Sequence, residues 1–426
     1  MKNFMIFLFT LLLFSIAVFG QNKFDELNNL AEKAIELNPN IKMLRAKLEA
    51  VKTKPAQNTN LPDPTLSVGL MNMPTNSFSF SQEAMTGKMV SLSQAFPFPG
   101  KLSAASDVLE KDIESAQQEI QEEKNKLRLK ITEAYFDLAL VREKIIVANE
   151  TKRLFNSINE VVKTKYEVNE ASQQNLFSIE LELTDLDNQL SELYASEKIA
   201  QATLNSLLYR NSSEDIATIP LDTLYSYNIP GIDSLINIAK TDRPQLTQFQ
   251  IMENKAAMMK ELADYDSYPD FNLTLQYTQR DKLDGSNMDL HDFFSVIVGV
   301  KLPINYGGKN SAKTSEAVSL ADMYEQQYQN ALQMLRISFE SSTAKLNSLI
   351  EREDLTNNVL LMQAQENFNS ALASYQVNRV DFVNVTNALT KLLNLETQLY
   401  KIRTDYYKEI ASMEYLSGTE LFQNLK

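Results

Sequence analysis

A chain of 426 residues with 41 Lys and Arg against 55 Asp and Glu carries a formal charge of −14 and lacks the clustered cations that phosphate binding needs, which excludes nucleic acid as a partner. At 44% hydrophobic residues and only 10 glycines it is too apolar for disorder and too glycine-poor for a loop-rich fold. With no cysteine and one histidine, it offers no thiol chemistry, no disulfide and no catalytic constellation, so neither an enzyme nor a cofactor is expected.

Residues 1–20 read as a secretory signal: Lys2 is the positive start, Phe4 to Phe19 the apolar core, and Val18-Phe19-Gly20 the small-residue end. That run of sixteen residues includes Thr10 and Ser15 and falls short of the about 20 apolar residues of a spanning helix. Nothing after it resembles a transmembrane helix, so membrane insertion would have to be by strands.

A helical segment from Phe24 to Lys54 leads to a strand pair in which Leu66, Val68 and Leu70 alternate with Thr65, Ser67 and Gly69, and Val90 and Leu92 with Ser91 and Ser93. Pro97-Phe98-Pro99-Gly100-Lys101 then opens a tract, Lys101 to Ile219, without proline or glycine. From Leu127 its apolar residues recur by sevens (Ala134, Val141, Ala148, Phe155, Val162), the seam of a coiled coil. The tract breaks at Tyr166-Glu167-Val168-Asn169, where asparagine tolerates the left-handed conformation that ends a helix. Its longer arm, at 1.5 Å per residue, would span roughly 100 Å.

Asn211 to Gly231, with Pro220 and Pro230, reads as a connector. The pattern then repeats: a helical segment from Ile232 to Tyr265, and strands in which Phe271, Leu273, Leu275 and Tyr277 alternate with polar residues, as do Phe294, Val296, Val298 and Val300. A second tract from Lys309 to Ser417 breaks at Tyr375-Gln376-Val377-Asn378. Pro39 and Pro244 lie 205 residues apart, Gly100 and Gly308 208, and Tyr166 and Tyr375 209. Such small drift means a duplication. The expected organisation is a first repeat over 21–210, a connector over 211–231, and a second repeat with the C-terminal end over 232–426. Strand alternation fits either hairpins on a soluble core or a membrane barrel. Four strands per chain cannot close a barrel, which takes about eight or more, so a barrel would require several copies.

The order of parts resembles the TolC family of outer-membrane efflux ducts over essentially the whole mature chain. The resemblance rests on Leu61-Pro62-Asp63-Pro64, on Ser93-Gln94 through Gly100-Lys101, on Tyr268-Pro269-Asp270 and on the two Tyr-x-x-Asn breaks. It implies a mainly α fold of long antiparallel coiled-coil helices plus four transmembrane β-strands per chain. A homotrimer would close a 12-stranded barrel in the bacterial outer membrane, with an α-helical tunnel in the periplasm. The implied partners are a periplasmic adaptor protein, an inner-membrane pump or exporter, and outer-membrane lipid. Met71-Asn72-Met73-Pro74 with Gln94 to Lys101 looks most like the heavy-metal efflux branch. A type I protein-secretion duct and a non-conducting coiled-coil surface protein are the alternatives.

The family usually has glycine at the breaks, where this chain has Asn169 and Asn378. Two aspartates that ring the periplasmic aperture in well-studied members correspond to Asn384 and Asn387, with Asp381 one turn closer to the break. The expected aperture is therefore Asp381, Asn384 and Asn387, and the helix-break tips Tyr166, Asn169, Tyr375 and Asn378. His291, between Asp289 and Asp292 in a loop, is too sparse a donor set for a metal site. Met71 and Met73 are expected on one strand face. Glu119, Glu122 and Glu123, beside Lys124 and Lys126, read as a solvated helix face.

Overall fold

A computed structural model describes residues 25–224, 227–286, 289–304 and 306–421; the expected signal segment lies outside them. The expected helical segments are each divided at a proline, Phe24 to Lys54 at Pro39 and Ile232 to Tyr265 at Pro244. The elements are α1 (Asp25–Leu37), α2 (Pro39–Lys52), α3 (Lys54–Asn58), β1 (Thr65–Met71), β2 (Gly87–Phe96), α4 (Lys101–Glu167) and α5 (Gln173–Leu207). The second half holds α6 (Ile232–Asp242), α7 (Pro244–Tyr265), β3 (Asp270–Gln279), β4 (Phe293–Lys301), α8 (Lys309–Leu355), a π turn (Thr356–Leu360), α9 (Leu361–Gln376) and α10 (Phe382–Ser417). Pro39 and Pro244 take the first helical position, where a missing N–H leaves no bond unmade. No helix among the described residues is long and apolar enough to cross a membrane.

The chain divides into two compact units, each drawing segments from both repeats. One unit, residues 44–119 and 245–330, contains the sheet. Its four strands run antiparallel in the order β1-β2-β3-β4, so the two hairpins join along β2 and β3. The register aligns Leu66 with Leu92, Leu275 and Val296, and Val68 with Val90, Tyr277 and Phe294. The opposite face aligns Ser67, Ser91, Gln276 and Ser295. The apolar rows are uncovered, with Val68 76% and Val298 68% exposed. β1 and β4 are edges with no strand beside them among the described residues. Met73 is not on the strand: β1 stops at Met71, and Asn72, at φ 51°, turns the chain away.

Where β2 passes into α4, Gly100 adopts φ 91°, and a Cβ there would lie 2.9 Å from the Tyr265 hydroxyl. Lys101 Nζ bridges Asp266 at 3.0 Å and Asp270 at 3.5 Å. Phe98 donates its N–H to Asp270 (3.1 Å) and stacks on Tyr268 with centroids 4.5 Å apart. Burial pushes the Asp266 carboxyl up, but hydrogen bonds and charge from Lys313 and Lys101 outweigh it and leave the group below its usual range.

The other unit, whose described residues fall within 25–43, 120–244 and 331–421, contains both helix reversals. Phe155, Ile158 and Val162 of α4, Ile179 and Leu186 of α5, Phe368 and Tyr375 of α9, and Phe382, Val385 and Leu389 of α10 form one buried core. In the α4 seam Leu127, Ile131, Leu138, Phe155 and Val162 are buried, whereas Ala134 and Val141 are half-buried. Glu122 is half-buried, not freely solvated: it accepts the Tyr415 hydroxyl at 2.8 Å, and burial with this carboxylate pushes that hydroxyl up to about 12. The connector is held by two arginines. Arg142 reaches Glu197 (2.9 Å) and Asp215 (2.8 Å), while buried Arg403 reaches Glu353 (2.7 Å) and the carbonyls of Leu221 (2.9 Å) and Asp222 (2.7 Å). The π turn brings Asn357 within 3.3 Å of the same guanidinium. It also takes up one residue: Lys101–Glu167 holds 67 residues, and the offset between copies grows from 208 at the glycines to 209 at the tyrosines across the π turn's helix.

Candidate functional site at the helix reversals

The two reversals have one backbone design. Asn169 and Asn378 are left-handed, with φ 61° and 58°. Asn169 N–H bonds to the carbonyl of Tyr166 (3.0 Å) and Glu170 N–H to that of Lys165 (2.7 Å). Asn378 N–H bonds to Tyr375 (3.1 Å) and Arg379 N–H to Ser374 (2.9 Å). This six-to-one bond past a left-handed residue satisfies carbonyls that a helix end otherwise leaves bare. Ser172 and Asp381, at matching positions, then take extended conformations with ψ 154° and start α5 and α10.

The side chains depart from that symmetry. Tyr166 is exposed, whereas Tyr375 is buried against Phe382, with ring centroids 5.5 Å apart, and accepts Asn175 Nδ2 at 3.5 Å. Lys165 is only 7% exposed; its Nζ donates to Asn378 Oδ1 (2.7 Å) and Glu170 Oε2 (3.2 Å) and sits 5.6 Å from the centre of the Tyr375 ring. Asn378 Nδ2 also donates to Glu170 Oε2 at 3.3 Å, closing a triangle that ties the reversals together. The hydrogen bond from Lys165, then that from Asn378, holds the Glu170 carboxyl below the usual carboxylate range.

Asp381, at the N-cap position of α10, and Asn384 and Asn387 within it form an exposed stripe, while Phe382, Val385 and Leu389 face the core. The Asp381 carboxylate makes no capping hydrogen bond. Lys165 and Glu170 were not among the expected site residues. The signal for Lys165 was its place on the seam: with Ile158 and Val162 it follows the i, i+4, i+7 spacing of a buried stripe.

His291 lies exposed in the β3–β4 loop, its carbonyl accepting Arg280 Nε at 2.8 Å. Its neighbours are engaged elsewhere, Asp289 with Lys282 (2.7 Å) and Asp292 with the Arg280 amide (2.9 Å). Among the described residues no group of three or more His, Cys, Asp and Glu is placed to hold a metal ion.

Residues 235–419 match the family model described as "Outer membrane efflux protein". A comparison with curated protein sequences finds no match. Among solved structures, the outer membrane protein VceC of Vibrio cholerae matches with a TM-score of 0.74 at 17% identity, over 92% of this chain and 96% of that one. CusC matches at 0.75 and 18%, covering 94% of this chain and 96% of its own. The CmeC outer membrane channel of Campylobacter jejuni gives 0.71 and 16%, over 94% and 87%. At such identities these likenesses establish the fold.

Proposed function

From the match of residues 235–419 to the outer membrane efflux protein family, we propose that this chain is a passive exit duct of a tripartite efflux system. It sits in the bacterial outer membrane and extends into the periplasm. Three copies each contribute four strands to a 12-stranded barrel and two helical hairpins to a tunnel, an adaptor engages the hairpin tips, and an inner-membrane pump supplies the energy.

The observation that carries this reading is the uncovered apolar face of a sheet with two open edges. Thirteen Leu, Val, Phe and Tyr side chains on that face are exposed, from Leu66 on β1 to Val300 on β4. At about 1.5–3 kcal/mol each, leaving them in water would forgo on the order of 20 kcal/mol, more than the net stability of an ordinary domain. Lipid removes that cost, and further copies pair the edges, since unpaired backbone groups cannot remain in hydrocarbon. Purified oligomers in planar bilayers should give stepwise conductance; folded oligomers that never conduct would favour a non-conducting surface protein.

Asp381, Asn384 and Asn387 form the narrowest periplasmic aperture in this proposal, and Asn169 and Asn378 the tips that the adaptor meets. Asp381 supplies one carboxylate per copy where the usual pair of aspartates is replaced by asparagine. The cargo we assign is heavy-metal ions, from the resemblance of Met71 to Pro74 and Gln94 to Lys101. A deletion strain should lose resistance to copper, silver, zinc or cobalt; sensitivity to dyes and bile salts alone would replace that cargo with small toxic organic compounds.

A further inference from the structure

The junction between β2 and α4 is completed inside the chain, but its duplicate is not. Lys309 follows Gly308 as Lys101 follows Gly100, and Pro62-Asp63 stands where the second repeat has Pro269-Asp270. Lys101 has Asp266 and Asp270, yet among the described residues neither Lys309 nor Asp63 has an ionic partner. The aromatic stack shows the same contrast. Phe98 lies on Tyr268, while their counterparts Ile304 and Leu61 are 62% and 48% exposed. β4 and β1, the strands attached to these loose ends, are the two edges of the sheet.

We propose that the second junction is completed by another copy of this chain: Lys309 pairs with Asp63 of the partner subunit, and Ile304 packs on Leu61 of the partner subunit. This inference rests on the duct reading and adds to it the seam at which copies meet. The β2–β3 pairing supplies the register. Aligning Pro97, directly after β2, with Pro303, two residues past the end of β4, sets an offset of 206 residues between β2 and β4 and matches Val90 and Leu92 with Val296 and Val298. Asp63 and Asp270 set an offset of 207 between β1 and β3. The observed pair Leu92 with Leu275 therefore becomes Val298 with Val68 of the partner subunit, and Ser93 with Thr274 becomes Gly299 with Ser67 of the partner subunit. In that register Val296, Val298 and Val300 share the face of Leu70, Val68 and Leu66. A slip of one residue would put valines opposite serine and glycine. Such an edge-to-edge contact is head-to-tail, which closes a ring.

The absence of native cysteine makes cross-linking clean. Under mild oxidation the double variants V68C/V298C and S67C/G299C should convert most of the chain into covalent dimers and trimers, because directly opposite Cβ atoms are close enough for a disulfide. V68C/V296C and V68C/V300C, displaced by two residues, should cross-link at least tenfold less. Efficient cross-linking of a displaced pair, with none in either register pair, overturns the register. Separately, K309D should lower the temperature at which oligomers dissociate and D63K added to it should restore it; no restoration overturns the ion pair. Conducting oligomers with displaced cross-links sink this inference alone, whereas monomers that neither cross-link nor conduct sink the duct reading as well.

Discussion

Lys165, at the end of α4, donates a 2.7 Å hydrogen bond to Asn378 at the turn between α9 and α10, so the two helix reversals are tied by a side chain that only one of them carries. The matching position in the second copy is Ser374. Two turns with the same backbone thus meet through an asymmetric, partly charged contact. Such a contact can be broken without unfolding either turn.

Replacing Lys165 with Met should break it. A buried hydrogen bond from a charged donor contributes about 1.5 kcal/mol or more, so amide exchange around Glu170 and Arg379 should quicken roughly tenfold. In bilayers the variant should spend more time in its highest conductance. Unchanged exchange at both turns would mean that the bond stabilises nothing.

Glu170 makes the tie sensitive to acid. Its carboxyl is held below the usual range, mainly by the hydrogen bond from Lys165, so its contribution is present above the unfolded value of about 4.3 and is lost as pH falls through the lower folded value. Exchange at the turns should be flat from pH 7 to pH 5 after correction for intrinsic rates, then rise below about pH 4. In Glu170→Gln that rise should vanish.

Glycine at the left-handed positions separates backbone from side-chain effects. Asn169→Gly should change local stability by less than about 0.5 kcal/mol, because asparagine already tolerates that conformation. Asn378→Gly, at nearly the same φ, also loses the Lys165 acceptor and should cost about 1 kcal/mol more. Equal cleavage of both variants by a limiting protease at their turns would contradict the difference.

If the exposed stripe of α10 sets the aperture, Asn384→Asp and Asn387→Asp should each strengthen block by divalent cations several-fold in single-channel recordings, since a ring of carboxylates concentrates cations. Asp381→Asn should weaken whatever block the parent shows. Unaltered block in both aspartate variants would move the aperture elsewhere.

Arg403 should be the least replaceable of the connector's anchors. Removing a buried cation strands Glu353 and the carbonyls of Leu221 and Asp222, a loss of about 3–5 kcal/mol. Arg403→Met should therefore open residues 211–231 to proteolysis. Lysine should rescue poorly, because its single ammonium cannot copy the planar fork.

Much of the fold was legible because it is written in local chemistry. Prolines and glycines mark the junctions, period-two alternation marks the strands, and the two asparagines sit where the helices reverse. What could not be read are contacts between residues far apart in the chain, by 50 to 293 positions. Lys165 on Asn378, Arg403 on Glu353 and Tyr415 on Glu122 are set by which helices pack together, and neither charge nor periodicity along one segment selects the partner. The two tyrosines differ for the same reason. Words that differ only at Glu167 and Gln376 place Tyr375 inside and Tyr166 outside, because only Tyr375 faces Phe382 and Lys165.

The π turn at Thr356–Leu360 carries the history of the duplication. One residue inserted into a straight α-helix would rotate everything beyond it by about 100° and present the wrong side of the second hairpin to the core. The wider turn absorbs that rotation where it arises, so Tyr375 and Asn378 keep the phase that lets them meet Lys165. The second copy thus holds a tolerated insertion, and deleting one residue there should leave the helix reversal intact, whereas the same deletion midway along α4 would turn its seam away from its neighbours.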